Sequence, residues 1–71
     1  MKVKLTFYDS FDSEFKGISY KINQFVNPIT FELINGVNLQ TSIKLIPYTL
    51  YLCTIERKGK KWKVTSVDKI D

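Results

Sequence analysis

The residues with the clearest chemistry lie near the C-terminus, in the segment Arg57-Lys58-Gly59-Lys60-Lys61-Trp62-Lys63. Five cationic side chains surround a turn glycine and the only tryptophan of the chain. A compact positive patch attracts phosphate groups, and aromatic rings beside it can stack on unpaired bases. The segment therefore predicts binding of nucleic acid, single strands in preference to duplex, through Arg57, Lys58, Lys60, Lys61 and Lys63. Lysines at a hairpin tip also prevent a strand edge from pairing with another chain, and this interpretation stays open.

The side chains of ordinary catalytic sites are missing from the sequence. It has no histidine, the commonest acid-base group, and its one cysteine, Cys53, lies in an alternating apolar segment that is typical of a packed thiol. It also has no glycine-rich phosphate loop and no nucleophile elbow. Asp9, Asp12 and Glu14 form an acidic cluster whose spacing matches no standard calcium loop and favours a solvated turn. We expect a non-catalytic binding module without a metal or a cofactor.

Length and charge limit the fold and the location. The chain has 71 residues and a net charge of +4, and residues 36–71 carry all of the excess, with seven bases against three acids. This length predicts one small β domain, residues 1–71, whose modest core could be supplemented by homo-oligomerisation. The N-terminus does not resemble a signal peptide, no segment is apolar enough to cross a bilayer, and the single cysteine suits a reducing compartment. We expect a cytoplasmic protein that does not bind membranes.

Alternation of polar and apolar residues is the dominant pattern and predicts β-strands. The strands are expected at residues 2–8, 14–22, 29–33, 37–46 and 49–57, with a sixth that begins near residue 61. Residues 9–13 are interpreted as a polar connection with one helical turn, and Gly17 as a bulge or a sharp bend. Phe25 and Val26, between two asparagines, are expected to form an exposed apolar pair in a loop.

A first hairpin is predicted at Asn35-Gly36. A three-residue loop over residues 34–36, with Gly36 in the left-handed conformation, would keep Leu33 opposite Val37 and their apolar face continuous.

A second hairpin is predicted at Lys58-Gly59. A two-residue turn there would place Ile55 opposite Trp62 and direct the tryptophan inward. The side chains of Lys61 and Lys63 would then project from the other face, close to Arg57. After Val64 the next apolar residue is Val67, which breaks the two-residue alternation and indicates a bulge near residues 65–66.

These elements predict an all-β fold: a small antiparallel barrel of five or six strands, OB-like or SH3-like, since closure removes exposed edges. It should be poor in helix, because the link Ile46-Pro47-Tyr48 is too short to contain one. A small β-sandwich is the alternative. For function, the alternative to nucleic-acid binding is a protein-binding accessory subunit or an inhibitor of the kind that mobile elements and phages encode.

Overall fold

A single five-stranded β-sheet makes up most of the protein. The computed structural model describes residues 1–70, which contain no helix. Its strands are β1 (Lys2–Phe15), β2 (Ile18–Val26), β3 (Leu33–Val37), β4 (Leu50–Lys58) and β5 (Lys61–Asp68). The all-β prediction is confirmed, and five is the lower of the two expected strand numbers. No helix of the described part is long and apolar enough to span a membrane.

The long first strand organises the sheet because it pairs with two neighbours. Residues 2–6 pair with β4, and residues 6–15 pair with β2. The second ladder contains a register shift between Phe7 and Asp9 that leaves Tyr8 as the extra residue. The order of hydrogen-bonded neighbours is β1-β2-β3-β5-β4, and the β4–β1 pairing brings the order back to its start. All pairings are antiparallel except that of β3 with β5, which is parallel and has the single partner pair Asn35 and Lys63.

The core forms on the side of the sheet to which alternate residues of all five strands point. Its buried members are Leu5, Phe7, Phe25, Ile34, Tyr51, Cys53, Ile55, Val64 and Val67. The rings of Phe7 and Phe25 meet edge to face, with their centroids 5.4 Å apart. The expected exposure of Phe25 is therefore wrong: β2 continues past its flanking asparagine and places this ring, fully buried, at the centre of the core.

Beyond the core, β1 and β2 continue together as an arm, residues 9–22, which is two-stranded over residues 12–21. The prediction of a polar connection with a helical turn over residues 9–13 is wrong, because these residues extend β1 and pair with β2. Lys16 and Gly17 connect the two strands with φ angles of 53° and 76°. Two consecutive positive φ angles are typical of a type I′ hairpin turn, which glycine adopts without steric strain. The feature expected at Gly17 is thus the tip of this arm.

The predicted strand at residues 29–33 is replaced by a turn. The side-chain oxygen of Asn27 accepts the amides of Ile29 and Thr30 at 2.9 and 3.2 Å, and its carbonyl accepts the amide of Phe31 at 2.7 Å. An asparagine that binds the backbone ahead of it competes with an extended conformation. The chain therefore turns here and enters β3 only at Leu33.

The predicted hairpin at Asn35-Gly36 is also wrong, since both residues lie inside β3 and pair with β2. A Cβ atom at Gly36 would lie 2.7 Å from Cδ1 of Leu39, so the leucine side chain would have to move to admit one. The segment expected to be a strand at residues 37–46 runs without regular structure from the end of β3 towards β4. Its apolar residues Leu39, Ile43 and Leu45 still pack against the core.

Candidate nucleic-acid interface

The basic segment forms the hairpin of β4 and β5, as the sequence predicts, but its turn lies one residue later. Gly59 and Lys60 form the turn, Lys58 lies opposite Lys61, and Ile55 lies opposite Val64 instead of Trp62. The partner of Ile55 changes by two positions, so the same alternate residues of β5 still face the core. The expected bulge near residues 65–66 is confirmed by the register shift between Thr54 and Ile55, which leaves Thr65 unpaired in the ladder.

The five predicted bases do not share one face of this hairpin. Arg57 is two residues beyond Ile55 and directly opposite Trp62, so strand alternation places it on their side. Its Nε donates a hydrogen bond to the carbonyl of Gly59 at 3.1 Å. Arg57 is therefore directed to the face opposite Lys61 and Lys63, although these lysines were expected to project close to it.

Three of the predicted bases do converge, in a groove of about 300 Å³ between β5 and the start of β3. Its lining residues are Glu32, Leu33, Ile34, Asn35, Lys60, Lys61, Trp62 and Lys63. Lys58 lies beside a neighbouring pocket of about 290 Å³, which it shares with Lys63. Lys63 thus lies between the two depressions and connects them.

Trp62 and Asn35 give the groove its uncharged surface. Trp62 is half-buried and packs against the core, as expected for an inward position, while it also lines the groove. The side-chain oxygen of Asn35 is buried and has no hydrogen-bond partner among residues 1–70. An unpaired buried acceptor costs about 1–3 kcal/mol, so this oxygen is a local cost to stability at the wall of the groove.

Four residues of the groove were not predicted as functional: Glu32, Leu33, Ile34 and Asn35. The last three belong to β3, and the parallel contact of Asn35 with Lys63 joins positions that are far apart in the sequence. No local pattern signals this contact. The misplaced hairpin at Asn35-Gly36 concealed it further, because residues in a turn would not line a sheet surface.

Cys53 and the acidic side chains are the other residues of 1–70 whose chemistry was considered in the sequence. Burial raises the pKa of the Cys53 thiol to about 12, so it stays protonated and unreactive at neutral pH. The described residues contain no group of three histidine, cysteine, aspartate or glutamate side chains that could hold a metal ion. A larger cavity, about 490 Å³, lies between the arm and the irregular segment after β3, with Asp9, Lys21, Asn23 and Lys44 among its lining residues.

No family model, curated protein or solved structure matches the chain.

Proposed function

We propose that the protein is a non-catalytic module that binds single-stranded nucleic acid at the groove between β3 and β5. The observation that carries the proposal is the groove that brings Lys60, Lys61 and Lys63 together beside the half-buried Trp62. The lysines can neutralise phosphates, and the part of Trp62 that lines the groove can contact a base.

The charge arrangement of the hairpin supports an anionic ligand. Lys58 and Lys61 lie directly opposite each other at its end. Like charges at opposed positions of an antiparallel pair destabilise it, and a phosphate between them would relieve the repulsion. Lysine binds phosphate as a point charge and lacks the planar fork with which arginine recognises guanine, so little sequence preference is expected.

We further infer that the sheet is a closed barrel of the OB-like kind. Each strand has two neighbours, and β1 is shared between β2 and β4. In OB barrels, oligonucleotides bind on the face of the second and third strands and at the loops that follow the first and fourth. The basic hairpin is the loop after the fourth strand, and its groove is built against the third. A cytoplasmic location suits this function and the reduced thiol of Cys53.

Fluorescence anisotropy with a labelled twelve-residue oligothymidylate tests the proposal. Three lysine contacts predict a slope of log K against log salt of roughly −2, and five predict roughly −3.5. The double variant Lys61→Glu/Lys63→Glu should lose most of the affinity. Lys2→Glu/Lys4→Glu is the control, because it makes the same charge change at exposed positions of β1. The proposal fails if the wild type does not bind at low salt, or if both variants lose equal affinity.

Protein binding is the second candidate, and a different surface favours it. Ile29 and Phe31, in the turn before β3, are 85% and 78% exposed. Exposed apolar side chains in a connecting loop suit an accessory subunit or an inhibitor. Native mass spectrometry of the protein purified from its source separates the two functions, since a stoichiometric protein partner without nucleic acid would favour this one.

A further inference from the structure

The two faces of the arm differ in chemistry. Residues directly opposite each other in an antiparallel pair share a face, and alternate residues along each strand share it too. Phe15 is opposite Ile18, Ser13 opposite Tyr20, and Phe11 opposite Ile22, so one face is almost wholly apolar. The other face has Asp12 opposite Lys21 and Glu14 opposite Ser19. We call the first of these the apolar arm face: Phe11, Ser13, Phe15, Ile18, Tyr20 and Ile22.

The apolar arm face is directed away from the core. Asn23 and Phe25 of β2 are buried on the core side, so Ile22 and Gln24 point outward. Ile22 is also paired with Val37 of β3, and the next outward row joins Gln24, Asn35 and Lys63. One outer surface therefore continues from the arm to the basic groove, with roughly 7 Å of strand between the two rows.

We propose that the apolar arm face is the part of the nucleic-acid interface on which bases stack. The ligand would lie across one outer surface, with phosphates at the lysines of the groove and bases on Phe11, Phe15 and Tyr20. This inference rests on the proposed function and adds the requirement that the ligand have unpaired bases, because the faces of paired bases are already stacked within a duplex. Every base has a face that can stack on an aromatic ring, so the contact tolerates any sequence.

The distribution of charge favours nucleic acid over an uncharged partner. The apolar arm face contains no acidic residue, while Asp12 and Glu14 point to the opposite side. A cation lies at the tip, where the Nζ of Lys16 is 5.4 Å from the centre of the Phe15 ring. Asp12 and Glu14 are thus directed away from the surface along which phosphates would lie. Two carboxylates do lie in the outward row beside it, Asp9 opposite Gln24 and Glu56 opposite Lys63, so the lysines of the groove must supply the positive charge.

A second copy of the chain fits this surface less well. Phe11, Phe15 and Ile18 are 44%, 63% and 57% exposed. With their neighbours they offer on the order of 400 Å² of apolar surface, about half of the ~800 Å² that each partner contributes to a standard interface. Edge-to-edge pairing of two β1 strands in the arm would bring Asp12 and Glu14 close to their own copies, and such charges are a common protection of strand edges.

The decisive experiment compares two oligomers of equal length and charge, oligothymidylate and an abasic analogue, by anisotropy. Phe11→Ala/Phe15→Ala should weaken binding of oligothymidylate by about 5- to 150-fold for each ring removed and leave binding of the abasic oligomer unchanged. Phe15→Leu keeps the apolar bulk but removes the ring, so it should show a similar loss for that one position. Lys61→Glu/Lys63→Glu should weaken binding of both oligomers. Tyr48→Ala, at a side chain 76% exposed in another part of the surface, is the matched control.

The possible outcomes separate this inference from the proposed function. If the phenylalanine variants bind oligothymidylate as the wild type does while the lysine variant does not, the stacking role is wrong and the basic groove stands. If the wild type binds neither oligomer, both proposals are wrong. If sedimentation shows a wild-type dimer that Phe15→Ala converts to a monomer, the apolar arm face is an interface between copies and the inference is overturned. Circular dichroism and Trp62 fluorescence verify that each variant is folded.

Discussion

The Tyr51 hydroxyl forms hydrogen bonds with the irregular segment after β3. Removing its oxygen atom should show how much these bonds contribute to the free energy of unfolding. The ring of Tyr51 is buried in the core. Its hydroxyl oxygen accepts the amide of Ile46 at 2.9 Å, and the hydroxyl donates to the carbonyl of Lys44 at 3.4 Å. Tyr51→Phe keeps the ring and leaves both backbone groups without this partner. We therefore expect the substitution to lower the stability of the whole fold.

The magnitude follows from the surroundings of those two groups. A buried polar group that loses its partner costs about 1–3 kcal/mol. Ile46 is 55% exposed, so water can replace part of the lost bonding, and we expect the lower end of that range, about 1 kcal/mol. For a chain of this size, that change lowers Tm by roughly 4–8 °C. With a urea m value of about 1 kcal/mol/M, the unfolding midpoint should fall by about 1 M.

Urea unfolding followed by Trp62 fluorescence measures this change, because the chain has a single tryptophan. Tyr48→Phe is the control: it removes the same atom from a side chain that is 76% exposed, and its midpoint should not move. An unchanged midpoint for Tyr51→Phe, or an equal fall for both variants, would refute the assigned role. A changed m value would mean that the compactness of one of the states had changed as well.

Three further perturbations test other parts of the structure. Gly36→Ala should destabilise the protein by about 1–3 kcal/mol through overpacking against Leu39, and Leu39→Ala should recover part of the loss in a double-mutant cycle of urea midpoints. Gly17→Ala meets no neighbouring atom but must adopt a φ of 76°, so calorimetry should show a loss of about 1–2 kcal/mol that no second-site change relieves. Because the Cys53 thiol ionises near pH 12 in the folded chain but near 9.0 otherwise, the unfolded state releases its proton first as pH rises. The unfolding free energy of the wild type should therefore fall above pH 9 relative to that of Cys53→Ala, by up to about 1.4 kcal/mol per pH unit, whereas parallel curves would contradict the buried, protonated thiol.

The parts of the fold that the sequence predicts are those in which one face of a strand is buried. In β4, Tyr51, Cys53 and Ile55 alternate with less buried residues, and the core selects that pattern directly. The same reasoning locates β5 and its bulge. Val64 and Val67 are both buried although three positions separate them, and this break in the two-residue alternation indicates an extra residue. The register shift at Tyr8 could not be predicted from the sequence, because β1 is exposed on both faces beyond it and no buried residues mark its alternation.

Local turn signals give a wrong prediction where a contact with a distant residue determines the backbone conformation. Asn35-Gly36 has the composition of a hairpin, yet Gly36 is used for the close approach of Leu39 and both residues remain extended against β2. The residues of the candidate site likewise differ in whether local sequence predicts them. Its lysines and Trp62 are close together in the sequence and were predicted, whereas Leu33 and Asn35 join them only through the pairing of β3 with β5.

The arm has a regular alternation of apolar residues, but no core explains it. Elsewhere in the sheet, the core explains why apolar residues occupy alternate positions. On the arm, Phe11, Phe15, Ile18 and Tyr20 keep one phase across two strands, although their face is directed away from the core. Stability of the isolated chain does not require this pattern, because polar residues could form the same backbone ladder at lower risk of aggregation. A ligand that covers the face would supply the missing reason, and the stacking experiment on Phe11 and Phe15 tests whether the proposed nucleic acid is that ligand.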